Sequence, residues 1–141
     1  MRRLIFPVIL SLIPSVVLAD SACGYLRVSI QNYSGGACKL KAANFMSGTL
    51  ASGQVPKLIS NGETTPSFQM QQGYLSGPAA QLVYTCNNKS VSLISKQHLC
   101  FLAAGNVTGE VYTMNNLHAK YVSSQGSYWS AQPGAIFWTI L

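Results

Sequence analysis

From residue 25 to the C-terminus the chain alternates apolar and polar residues in short runs broken by turn residues. No stretch sustains a helical period. That pattern restricts the fold to β-strands with one buried and one solvated face. In residues 25–33 (YLRVSIQNY), Leu26, Val28 and Ile30 point one way and Arg27, Ser29 and Gln31 the other. Ser34-Gly35-Gly36 then turns the chain into a second run over 37–45, with Cys38, Leu40 and Ala42 on one face. These two runs are expected to pair as a hairpin. Residues 46–60 (MSGTLASGQVPKLIS), punctuated by Gly48, Gly53 and Pro56, read as a loop with a short extended piece. Further strands are expected at 67–71, 80–86, 89–95, 107–113, 119–123 and 135–141, with tight turns at Asn61-Gly62 and Asn87-Asn88. The last run (AIFWTIL) is apolar on both faces, which suits a strand in the middle of a sheet. About eight short strands, with no repeat or linker between them, predict an all-β fold: a single-domain, compact antiparallel β-sandwich. A small outer-membrane barrel is the architectural rival, but its strands run to about ten residues with an outward apolar band. Most runs here are shorter.

Residues 1–19 have the layout of a secretory signal peptide. Arg2 and Arg3 form a basic head, residues 4–18 are uncharged and largely apolar, and Val17 and Ala19 are small residues at the positions signal peptidase reads. Cleavage is expected between Ala19 and Asp20, leaving 20–141 as the β-sandwich domain, secreted or periplasmic. A retained anchor is disfavoured because the run is short and interrupted by Pro7 and Pro14. A lipoprotein cut at Ala22-Cys23 is disfavoured because Asp20 stands where an apolar residue is wanted.

Four cysteines, Cys23, Cys38, Cys86 and Cys100, lie in the exported part and read as two disulfides. No two are close enough for a zinc knuckle, and His98 and His118 lack companion spacing, so no metal is expected. Strand geometry restricts the pairing. At about 3.3 Å per residue, Cys23 and Cys38 fall on the order of 25 Å apart at opposite ends of the first run. Cys86 and Cys100 are separated in the same way. A disulfide spans no more than about 7 Å between α-carbons. The bonds should therefore join distant runs, as Cys38–Cys86 with Cys23–Cys100, or as Cys38–Cys100 with Cys23–Cys86.

The chain carries nine basic and three acidic residues; with two of the basic ones in the leader, seven remain against three, a net charge near +4. Arg27, Lys39, Lys41, Lys57, Lys89, Lys96 and Lys120 are scattered along the sequence. They read as a mildly basic solvated surface, and no nucleic-acid partner is expected. The chemistry for catalysis is thin. Glu63 follows a turn and reads as solvated, so Glu63 and Glu110 are not expected to form a glycosidase pair. No Ser sits in a G-x-S-x-G context, and Gly105 and Gly109 are not followed by a phosphate-loop Lys. Neither enzymatic activity nor a cofactor is expected.

What remains is a binding surface. Phe45-Met46, Tyr74-Leu75 and Tyr128-Trp129 fall in expected loops among Gly, Ser and Gln. Tyr74, Leu75, Tyr128 and Trp129 are the candidate ligand-binding residues, suited to a membrane lipid headgroup layer or to stacking on a surface glycan. Trp129, beside Ser127, Ser130 and Gln132, joins a planar ring to hydrogen-bonding neighbours. A protein partner is the further option for such a surface, and a periplasmic structural or inhibitor protein is the third reading.

The order of features resembles the aegerolysin-like β-sandwich proteins, which are related in architecture to the actinoporin cytolysins. The matching pieces are VSIQNYSGG, then LKAANFMSGTLASG, a Pro, an Asn-Gly turn, a polar strand, and GYLSGPAAQLVYTC; the likeness covers roughly residues 25–95. The resemblance implies a single-domain sandwich that binds membrane lipids, in some members recruiting a partner protein to form pores. The leader, the basic balance and the four cysteines depart from that family. Leader and cysteines together look like small exported virulence-associated proteins of Gram-negative bacteria.

Overall fold

The computed structural model describes residues 22–129 and 132–141. The leader expected over 1–19 and its cut before Asp20 lie outside them. Ten strands are found among the described residues: β1 (Tyr25–Asn32), β2 (Cys38–Ser47), β3 (Thr49–Ser52), β4 (Leu58–Ile59), β5 (Phe68–Gln71), β6 (Ala79–Cys86), β7 (Lys89–Gln97), β8 (Val107–Met114), β9 (Ala119–Ser124) and β10 (Gly134–Ile140). They form two five-stranded sheets, ordered β3-β5-β1-β10-β9 and β4-β2-β6-β7-β8. The all-β sandwich stands, as two open sheets and not a barrel. One pair, β1 with β10, is parallel; the other pairings among named strands are antiparallel.

The expected hairpin of 25–33 with 37–45 does not form. β1 pairs with β5 and β10, whereas β2 pairs with β4 and β6 in the other sheet. Ser34-Gly35-Gly36 is a corner between sheets, and Asn32 holds it. The Asn32 side chain is fully buried. Its amide donates to the carbonyls of Gly36 (2.7 Å) and Ile59 (2.9 Å), and its Oδ1 accepts from the Ser34 N–H (2.9 Å). A buried side chain bonded on three sides fixes a sheet crossing where solvent-facing Asn would merely mark a turn. Ala42 also departs from its expected face. The register slips between Leu40 and Ala42, a bulge that turns Ala42 outward. Residues 46–60 hold more structure than expected, since β2 runs to Ser47 and β3 and β4 add two edge strands.

The Asn87-Asn88 hairpin does form. Both residues have positive φ (48° and 62°), the conformation of a two-residue turn matched to strand twist. β10 lies between β1 and β9, as its apolar composition predicted, and buries Ile136, Trp138 and Ile140. Trp138 is the largest fully buried side chain. Its indole N–H donates to Ser95 Oγ (2.9 Å) and its ring packs on Tyr121 at 5.0 Å. Gly109 makes room for it, because a Cβ there would come within 2.7 Å of the indole. On the facing sheet the buried Tyr84 hydroxyl donates to the Pro56 carbonyl (2.7 Å), and burial pushes its phenol well above the ordinary range.

The disulfides are Cys38–Cys86 and Cys23–Cys100, with α-carbons 4.3 and 5.7 Å apart. This is one of the two arrangements that strand length allowed. Cys38–Cys86 bridges directly opposed residues of β2 and β6, and Cys23–Cys100 ties the entrance of β1 to the loop after β7. The two close segments of 48 and 77 residues. Each then stabilises by about 4 kcal/mol in the chain-entropy model.

Two outcomes are expected. Non-reducing peptide mapping should recover Cys38–Cys86 and Cys23–Cys100 peptides, and a Cys86–Cys100 peptide would contradict the architecture. Asn32→Ala should lose about 2–4 kcal/mol in urea unfolding, since it leaves buried carbonyls without donors.

Candidate functional site

The strand registers decide which loops share an end of the sandwich. β1 begins at Tyr25 opposite Gln71, the last residue of β5, and Leu26 faces Gly134, the first of β10. Ser124, the last residue of β9, faces Ala135. In the other sheet Ser47 ends β2 opposite Ala79, the first residue of β6; Gln97 ends β7 opposite Val107, the first of β8. Gly48, at φ +75°, carries β2 directly into β3, so these ends coincide. The segments 72–78, 98–106 and 125–129 therefore crown one end, with residues 22–24.

The crown is built around the backbone of Gln97 and His98. The Gln97 N–H donates to the Pro78 carbonyl (3.0 Å), and the His98 N–H to the Asn106 carbonyl (3.0 Å). Gln97 is buried, and its side-chain amide donates to the Cys23 carbonyl (3.2 Å). Gly77 and Gly105 press on the same two residues. A Cβ at Gly77 would fall 1.7 Å from the Gln97 carbonyl oxygen, and one at Gly105 1.8 Å from that of His98. Gln72 links the loops directly: its Oε1 accepts from the Cys100 N–H at 2.8 Å. Gln125 donates from its side chain to the Ala104 carbonyl, and the Ser127 N–H bonds the Gln132 carbonyl (3.0 Å).

On this rigid base stand large apolar side chains pointing into solvent. Tyr74 is 94% exposed, Leu75 80%, Phe101 74%, Leu102 76% and Trp129 91%. Tyr128 is half-buried and meets the Trp129 ring edge-on at 4.9 Å. Leu102 has φ 65°, a left-handed conformation strained for a bulky residue by about 1–3 kcal/mol. Residues 72–78, 98–106 and 125–133 contain no Lys, Arg, Asp or Glu, and His98 is their one imidazole. Exposed apolar side chains gathered on loops that carry no charged residue form a patch of the kind that marks interaction surfaces.

The structure thus brings Tyr74, Leu75 and Trp129 to one end, with Tyr128 supporting Trp129. Phe45-Met46 is corrected: both residues lie in β2 and not in a loop, with Phe45 packed against the core and Met46 exposed on the strand. Phe101 and Leu102 are an addition. Their sequence signal was two large apolar residues directly after a bonded cysteine, in a segment of Ala and Gly past a strand end.

The two glutamates are not brought together. Glu63 lies in the turn after β4, where its carboxylate accepts from the Ser60 N–H (2.8 Å). Glu110 sits on β8, where Lys96 at 2.8 Å holds its carboxyl below the usual range. β4 and β8 are opposite edges of one sheet, about 19 Å apart. Carboxyl groups that share a glycosidic bond stand within about 9.5 Å. A groove of about 440 Å³ lies between residues 53–58 and Glu63, Thr65, Pro66 and Ser67, away from the crown.

No family model matches the chain, and no curated protein does. Solved structures do share the fold. The lipid binding protein Nakanori superposes with a TM-score of 0.65 at 16% identity, covering 82% of this chain and 70% of that one. IP-1A from Alcaligenes faecalis superposes with a TM-score of 0.58 at 11% identity, covering 85% and 91%.

Gln72→Ala should loosen the crown without unfolding the sheets. Hydrogen exchange is expected to quicken across residues 98–106, at the Cys100 amide above all, while β6 and β7 keep their protection. Unchanged exchange in 98–106 would show that the Gln72 bridge does not hold the loop.

Proposed function

We propose that this is an exported, non-enzymatic binding protein that engages membrane lipids through the crown. The observation that carries the reading is the gathering of Tyr74, Leu75, Phe101, Leu102 and Trp129, all solvent-exposed, on three loops with no charged side chain among them. Amphipathic rings such as Tyr74 and Trp129 favour the headgroup layer, and Leu75, Phe101 and Leu102 suit the acyl boundary just below it. Transferring such a side chain out of water contributes about 1.5–3 kcal/mol. Several together exceed the lost freedom of association only if the loops are already ordered. The bonds around Gln97, His98 and Gln72 supply that order.

The fold shared with a lipid binding protein and the aegerolysin-like order of features support the same reading. Two disulfides fit an oxidising, extracellular or periplasmic setting, in line with the leader. A glycan-binding role is the second reading. It rests on Trp129, whose ring is open to solvent on the side away from Tyr128.

Liposome flotation across host-like and bacterial lipid mixtures tests the proposal. The protein should float; Trp129→Ala should weaken binding about tenfold or more, and the pair Phe101→Ala/Leu102→Ala about a hundredfold or more. Leu58→Ala, an exposed apolar residue on another edge, should change nothing. Binding to no mixture contradicts the proposal. A glycan-array signal abolished by Trp129→Ala, with flotation absent, selects the second reading.

A further inference from the structure

The basic residues, scattered along the sequence, are not scattered in space. Lys39 and Lys41 lie early in β2, Lys57 just before β4, Lys89 opens β7, and Lys120 is the second residue of β9. The registers put all of these in the half of the sandwich away from the crown, since Cys38 pairs with Cys86, and Ala119 with Ile140 at the end of β10. Of the other basic residues described, Arg27 is near the start of β1, and Lys96 is paired with Glu110. The acid nearest the basic end, Glu63, has its carboxylate engaged by the Ser60 N–H.

Within that end a depression of about 400 Å³ is lined by Lys39, Lys41, Thr85, Asn87, Asn88 and Ala37. Both lysines are exposed, and neither forms an ion pair among the described residues. Lys41 is the extra residue at the β2 bulge, which places a second ammonium on the wall that Lys39 already lines. The floor is firm. Thr85 is paired with Lys39 and lies 3.4 Å from the Ser90 hydroxyl, oxygen to oxygen. Asn87 packs so closely over Gly36 that a Cβ there would come within 2.3 Å of its amide. Two lysines without ion pairs, a threonine and two asparagines line one concavity, with no carboxylate among the lining residues. Such a donor set matches sulfate or phosphate ester oxygens.

We infer that the end opposite the crown is a binding face for a polyanionic glycan bearing sulfate or phosphate esters, centred on Lys39 and Lys41. Strands of eight to ten residues separate the two ends by about 25–30 Å, more than three Debye lengths at physiological ionic strength. A membrane met by the crown therefore leaves this face in solution, where an extended surface glycan can reach it. The inference stands on the charge arrangement and is independent of what the crown binds.

The test is titration of the full protein with a fully sulfated heparin-derived hexasaccharide at rising salt. Binding should be present at low salt and weaken steadily as salt increases. Lys39→Ala/Lys41→Ala should reduce affinity by about tenfold or more and flatten the salt dependence. Arg27→Ala/Lys96→Ala, which removes the same formal charge elsewhere, should change it less than about twofold. Lys39→Gln/Lys41→Gln, with an unchanged melting temperature, should repeat the loss, and Trp129→Ala should leave hexasaccharide binding intact. Absence of hexasaccharide binding overturns the inference. So does an equal loss in both charge pairs, which would mean net charge acts without a site, or a loss in Trp129→Ala.

Discussion

The crown hangs on two consecutive backbone units, Gln97 and His98. Their N–H groups hold Pro78 and Asn106, their carbonyls admit only glycine at 77 and 105, and the Gln97 side chain reaches Cys23. Because Gln97 closes β7, one of the inner strands of its sheet, the loops inherit the rigidity of the sandwich. The Cys23–Cys100 bond adds a covalent tie between the sheets at the same point. Exposed aromatics on slack loops would fold back onto the protein. Held this way, they remain in solvent.

Strand existence was legible in the sequence wherever alternation was strong, as in β1, β6, β7 and β10. Pairing was less so. Ser34-Gly35-Gly36 reads locally as a hairpin turn. Its role as a corner depends on Asn32 finding Ile59, far along the chain, and no local pattern encodes that contact. The parallel match of β1 with β10 joins opposite ends of the domain and is equally invisible to local reading. The disulfides came out among the expected arrangements although the first hairpin was wrong. Cys23 and Cys38 lie a strand length apart whichever strand β1 pairs with, and that separation alone excludes a bond between them.

The candidate site divides along the same line. Tyr74, Leu75 and Trp129 were readable because apolar residues amid Gly, Ser and Gln contradict their surroundings. That they share an end, and that Phe101 and Leu102 join them, follows from registers and from the closure of the 98–106 loop. The basic residues show the converse. In sequence they look like an even solvated surface, and the fold gathers five of the seven, Lys39, Lys41, Lys57, Lys89 and Lys120, in the half away from the crown. The result is a molecule with apolar loops free of charged residues at one end and five lysines gathered toward the other.

The central claim, that the crown is the surface that enters a membrane, has a built-in reporter. The chain has two tryptophans: Trp129 is almost fully exposed at the crown, and Trp138 is buried in the core. Tryptophan emission should shift to the blue when vesicles are added. Lipids brominated on the acyl chains should quench the Trp129 contribution and spare that of Trp138, and Trp129→Phe should abolish both effects. Vesicle-bound protein whose emission neither shifts nor is quenched would place the membrane contact elsewhere and contradict the account.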